Sequence, residues 1–276
     1  MAKKKENEMS FLEHLEVLRW HIIKSVISIF VFGIVAFVFK DIVFNKILLA
    51  PKFPDFITYR IFCRIAEIVK IPRLCINAVP MELISIKMSG QFSMHIMVSL
   101  VIGFIVAFPY VFFQFWRFIV PALYPKEKNV ARGAVVVSSL LFLLGVFFGY
   151  FIITPLTIQF FSGYSVSPDV TNQINLISFV STIASVLISC GVVFELPILV
   201  YFLSKIGLIT PKFLKTYRKH ALVLILFIAA VITPPDIFSQ LVVSVPLILL
   251  YEVSILISGR IEKKKLKKEA AEVSAS

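Results

Sequence analysis

Apolar residues gather along the chain into six runs: Ile22 to Phe39, Phe92 to Phe113, Ala134 to Pro155, Ile177 to Leu203, Ala221 to Thr233 and Phe238 to Ser258. A bilayer core about 30 Å thick takes about 20 apolar residues in a helix, so each run predicts a membrane span. The fifth run falls well short of that thickness at 1.5 Å per residue. Only Pro234, Pro235 and Asp236, followed by Ile237, part it from the sixth. The pattern predicts an all-α polytopic membrane protein with six transmembrane helices, spans five and six short. It divides into a cytoplasmic N-terminal segment over residues 1–21, a membrane domain over 22–258 and a basic cytoplasmic tail over 259–276.

The longest polar interruption, residues 40–91, lies between spans one and two. Within it Ile61, Phe62, Ile65, Ile68 and Val69 recur at helical spacing, with Arg60, Arg64 and Glu67 on another face. This predicts a helix on the outer membrane surface or packed across the span tops. Cys63 and Cys75 share the segment. A non-cytoplasmic location permits a disulfide between them, but two free thiols, or a segment folded differently, are the favoured reading. Cys190, alone inside span four, reads as core.

Composition agrees with the pattern. Of 276 residues, 59% are hydrophobic, 16% are charged and 28 are Phe. A soluble domain carries about a quarter charged residues, so disorder, a nucleic-acid arm and an ordinary cytosolic enzyme are poor readings. The net charge of +12 collects at the ends of apolar runs, and from Gly133 to Ser204 there is no Lys or Arg. Arg117, Lys126, Lys128 and Arg132 lie between spans two and three, and Lys205, Lys212, Lys215, Arg218 and Lys219 between four and five. By the positive-inside rule both termini and these two loops are cytoplasmic. Segment 40–91 is also basic, but long segments translocate regardless of charge. The tail run from Lys263 to Lys268 reads as retention charge with attraction to anionic head groups. The N-terminus lacks a small-residue cleavage site, so span one is expected to stay in the protein.

No phosphate loop, metal-ligating motif or nucleophile elbow is present, and the four histidines are scattered. The expectation is a non-enzyme with no cofactor and no metal, driven by the membrane potential, a proton gradient or a partner. The informative residues are acids kept at a cost. Glu195 lies more than a turn inside span four, where an ionised carboxyl costs about 2.5 kcal/mol or more; the structural alternative is an interhelical hydrogen bond that fixes packing. Pro197 predicts a kink beside it. Asp236 is placed to cap span six, and Gln240, one turn on, to line a polar path. Glu252 is a third intramembrane carboxyl. Glu127, alone among basic neighbours, reads on its own as a solvated partner of those charges.

Several blocks together go further. Phe11-Leu-Glu-His-Leu-Glu-Val-Leu-Arg19, Phe115-Trp-Arg-Phe-Ile-Val-Pro-Ala-Leu-Tyr-Pro-Lys-Glu127, Phe194-Glu-Leu-Pro197, Thr233-Pro-Pro-Asp-Ile-Phe-Ser-Gln240 and Pro246 to Glu252 occur in order. They resemble the TatC family, the multispanning receptor subunit of the twin-arginine protein translocase. The resemblance implies a concave, glove-like wall of six spans in the cell inner membrane. It implies that folded proteins bearing twin-arginine signal peptides dock first on the cytoplasmic face. Glu127 falls on the family acid that receives the arginine pair, where a guanidinium fork favours fixed carboxylates; Phe118 and Arg19 match the same docking surface. Glu195 and Gln240 match polar contacts of the concave face, with Asp236 beside them, used by the signal peptide's apolar part and by single-span TatA-type and TatB-type subunits. Homo- and hetero-oligomeric assembly in the lipid bilayer follows, with no nucleic acid involved.

One block departs from the family. Its members commonly read His-Leu-x-Glu-Leu-Arg, whereas His14-Leu15-Glu16-Val17-Leu18-Arg19 moves the acid one residue, about 100° around a helix. Glu13, one turn before Val17, is the other candidate, and the sequence assigns neither. The rival from another class is a proton-coupled secondary transporter of a small solute with Glu195 as proton carrier, although the two halves show no repeat. A purely structural scaffold is the third reading.

Overall fold

The computed structural model describes residues 11–70, 75, 81–123, 128–167, 169, 172–233 and 235–275. Helices follow in the order α1 (Phe11–Val38), α2 (Ile57–Val69), α3 (Gly90–Leu123), α4 (Lys128–Phe148), α5 (Thr154–Gly163), α6 (Leu176–Val193), α7 (Leu196–Lys205), α8 (Pro211–Thr216), α9 (Arg218–Ile232) and α10 (Ile237–Ala275). Among them five stretches are long and apolar enough to cross a bilayer: Leu15–Val38, Gly90–Phe118, Gly133–Gly163, Leu176–Lys205 and Ile237–Lys267. The fifth predicted span is α9, whose 15 residues reach only about 22 Å, so its shortness is borne out. Span six, expected to be short, is not: Ile237–Lys267 is long and apolar enough to cross. Its helix continues through the Lys run to 39 residues, because Lys and Glu are good helix formers and no Gly or Pro intervenes after Gly259.

Span three runs past its expected end at Pro155. Proline lacks an N–H and its ring clashes with the carbonyl four residues back, which here is that of Phe151. The helix widens into a π-helical turn over Gly149–Ile153 and resumes as α5. The freed Phe151 carbonyl accepts from the Thr58 hydroxyl of α2 at 2.5 Å, so a break inside the membrane keeps its backbone satisfied.

The outer helix α2 forms as the periodicity predicts. One face, with Thr58, Tyr59 and Ala66 buried, packs on the span tops, while Ile57, Ile61, Ile65 and Ile68 stay exposed on the other. Tyr59 donates to the Pro51 carbonyl at 2.7 Å, and burial pushes its phenol pKa up to about 12. Cys63 and Cys75 are joined by a disulfide. This corrects the expectation of two free thiols, since Cys75 stands beside the second turn of α2, its Cα 4.0 Å from that of Cys63. Leu83–Ile84 pairs in parallel with Ile174–Asn175, tying the segment after span one to the entry of span four, where the Asn175 side chain caps α6 by accepting from the Ile177 N–H.

Two packing lines set the spacing of the helices. Along α1 and α3, Gly33 faces Gly103 so closely that a Cβ on Gly103 would stand 2.6 Å from the Gly33 nitrogen and the Ile29 carbonyl. Between α7 and α10, buried Ser204 and Ser258 share a 2.8 Å hydrogen bond. Small residues let membrane helices approach where the bilayer supplies no hydrophobic drive between them.

Candidate functional site

Two places hold most of the residues singled out from sequence. The first is where the start of α1 meets the end of α3. His21 on α1 and Gln114 on α3 join through Nδ1 and Oε1 at 2.7 Å, with Gln114 buried, and the His21 ring lies 6.4 Å from that of Phe118. Glu16 and Arg19 are exposed on α1 within two turns of His21. Trp116, one turn along α3 from Phe112, stacks on Phe112 and reaches Phe202 of α7 at 4.0 Å, which fixes the end of α3 against the rest of the bundle. Glu13 falls in the first turn of α1, and Glu127 lies outside the described residues.

The second place is the break between α6 and α7. The Glu195 N–H bonds to the Val192 carbonyl at 3.1 Å, and the Ile198 and Leu199 N–H groups return to the Glu195 carbonyl. The predicted kink at Pro197 is therefore present, and it turns the carboxyl toward α4. Glu195 Oε1 accepts from the Ser138 hydroxyl at 2.8 Å. Oε2 is buried and accepts no hydrogen bond from the described residues. A half-satisfied carboxyl in a span is costly.

The approach of α4 to α6 makes this contact possible. A Cβ on Gly145 would lie 2.5 Å from the Cys190 carbonyl and 2.9 Å from Phe194; only glycine lets the helices come close enough for Ser138 to reach Glu195. Below it Phe142 stacks on Phe108 at 3.6 Å. Sequence reasoning passed over Ser138, His21 and Gln114. The signal was there, since each is a polar residue inside or at the edge of an apolar run, but their partners lie 57 and 93 positions away.

Asp236 and Gln240 sit elsewhere. Asp236 caps α10, its carboxylate accepting from the Ser239 N–H at 2.8 Å. Slight desolvation pushes that carboxyl up, but hydrogen bonds from Ser239 and the Phe238 N–H outweigh it and hold the group below its usual range. Gln240 Nε2 donates to the Leu226 carbonyl of α9 at 3.1 Å, so it ties the two helices of the Pro-Pro turn. Glu195 and Gln240 share no hydrogen bond; each serves a different helix pair. Glu252, near the far end of α10, pairs with Arg218 at 2.6 Å. Among the described residues no cluster of His, Cys, Asp or Glu could hold a metal ion.

Comparison with known proteins places this arrangement. A family model described as Sec-independent protein translocase protein (TatC) matches residues 13–246. The chain is similar to the Sec-independent protein translocase protein TatC of Blattabacterium sp. subsp. Periplaneta americana, 41% identical and covering 95% of this chain and 100% of that one. The TatC of Aquifex aeolicus is 35% identical over 93% of this chain and 98% of its own length. Among solved structures, a crystal structure of the twin-arginine translocase receptor TatC in DDM superposes with a TM-score of 0.69 at 34% identity, covering 89% of this chain and 99% of that one.

Proposed function

Because this chain belongs to the TatC family of Sec-independent protein translocase proteins, a multi-pass membrane component of a translocase that works in a complex, we propose that it is the receptor that binds twin-arginine signal peptides of folded cargo. The docking surface comprises Glu127, Phe118 and Arg19 with Glu13 or Glu16, on the cytoplasmic face of the inner membrane, both termini being cytoplasmic. The peptide's apolar part then passes to the concave face at Glu195. Single-span TatA-type and TatB-type subunits join there and near Asp236 and Gln240, and the proton gradient drives export without catalysis by this chain.

The observation that carries this reading is the junction of α1 with α3. The His21–Gln114 bond and the His21–Phe118 contact bring the start of α1 beside the end of α3, so Arg19 and Glu16 stand near the segment that leads to Glu127.

The test is binding of a fluorescent twin-arginine signal peptide to the purified protein. E127Q should weaken it about tenfold or more, as should Lys in place of the paired arginines, because Lys lacks the planar fork. Site-specific crosslinking from the peptide should reach position 127 together with 13 or 16, and 195 from its apolar part. Unchanged affinity of E127Q would sink the docking assignment. Proton-coupled solute uptake by the protein alone in liposomes would instead favour a secondary transporter.

A further inference from the structure

The basic tail has no place in the docking reading, yet its first two turns form one wall of a cleft. Between α4, α7 and α10 lies an open cavity of about 440 Å³, walled by Val137, Ile198, Tyr201 and Ile257 and bordered by Arg260 and Lys264. The face α10 turns to it reads Ile257, Arg260, Ile261, Lys264, spaced at i, i+3, i+4 and i+7, a single helical stripe that passes from apolar to cationic over about 10 Å. One turn along α7 from Tyr201, the Lys205 ammonium lies 6.0 Å from the Tyr201 ring centre. Arg260 and Lys264 are exposed and have no ion-pair partner among the described residues.

An apolar slot that opens sideways through exposed Val137 and carries unneutralised cations only at one end matches a molecule that is apolar along its length and anionic at its head. We propose that this cleft holds one anionic phospholipid from the leaflet at which α10 leaves the bilayer. An acyl chain lies along Val137, Ile198 and Ile257, and the phosphate sits at Arg260 and Lys264. Cationic pockets between spans recognise anionic head groups in this way, each Lys or Arg contributing about fivefold to affinity. Tyr201 places an aromatic ring at the depth where the chain meets the head group.

The experiment uses the full chain purified from a bilayer of phosphatidylcholine with a minority of phosphatidylglycerol, and counts retained lipid by native mass spectrometry. The wild type should retain one phosphatidylglycerol in preference to phosphatidylcholine. R260Q/K264Q should lower that retention about tenfold or more. K263Q/K265Q removes the same charge from residues that do not line the cleft and should retain as the wild type does. V137W, which fills the slot with the cations intact, should also lose the lipid while melting at an unchanged temperature. Equal losses in the two charge variants would reduce the effect to diffuse attraction and overturn the site. Retention of phosphatidylcholine equal to phosphatidylglycerol, or of phosphatidylglycerol by R260Q/K264Q, would overturn it as well.

Discussion

Two glycines meet at the crossing of α1 with α3, but only one should resist a methyl group. A Cβ on Gly103 would stand 2.6 Å from the Gly33 nitrogen and the Ile29 carbonyl and 2.8 Å from the Gly33 Cα, all backbone. Ordinary contact begins near 3.4 Å, so α1 and α3 would have to part by roughly 0.8 Å along their length, and overpacking of that kind costs about 1 to 3 kcal/mol. A Cβ on Gly33 meets nothing closer than the Ser99 carbonyl at 3.5 Å. Both substitutions by alanine gain about 1 kcal/mol of helix propensity, so the difference between G103A and G33A cancels that gain and isolates the clash. In thermal melting of the purified protein in detergent, G103A should melt several degrees below G33A, at roughly 2 to 4 °C per kcal/mol. Since the same two helices carry Arg19 and Phe118, G103A should also weaken signal-peptide binding under conditions where both variants are folded. Equal melting of the two alanines, or a G33A variant less stable than G103A, would refute the packing argument.

Other outcomes can be checked independently. T58V strands the Phe151 carbonyl and should cost about 1 to 3 kcal/mol, seen as faster amide exchange over residues 149–153; restoring a donor with P155A should recover much of it. S138A leaves both Glu195 oxygens without a partner and should destabilise the protein by about 1 to 3 kcal/mol, whereas removing both polar groups in S138A/E195L should recover most of that in melting. D236A should lose a helix cap, about 1 kcal/mol. Because the folded Asp236 carboxyl is held below its usual value, its contribution is present above about pH 4 and lost as pH falls through the lowered value, so wild type and D236A should converge in acid. Reduction of Cys63–Cys75 should open the 12-residue loop to protease, an effect worth about 3 kcal/mol in chain entropy.

What the sequence discloses and what it hides divides along physical lines. Periodicity announces the spans, the short α9 and the outer helix, because each depends on neighbours a turn or two away. The kink at Pro197 and the cap at Asp236 are equally local. By contrast, the continuation of span three beyond Pro155 turns on a hydroxyl 93 positions earlier, and periodicity cannot register a partner so remote. Ser138 hid for the same reason: a serine in an apolar run looks like any small residue until α6 kinks toward it. The disulfide depended on where the chain goes after α2, which spacing does not fix. The six-span fold was legible throughout; the partners of its polar groups were not.

The bond from Thr58 to the Phe151 carbonyl also orders events in synthesis. Thr58 precedes Phe151 by 93 positions in the chain, so the ribosome delivers the donor before the acceptor. When span three enters the bilayer, its broken turn needs no period of exposure to lipid, provided the earlier segment has already crossed and folded. A chain whose outer segment arrived late would have to insert span three with an orphan carbonyl. The outer segment thus serves as the part of the protein that makes a later span insertable, and its delay should show first as failure of span three to integrate.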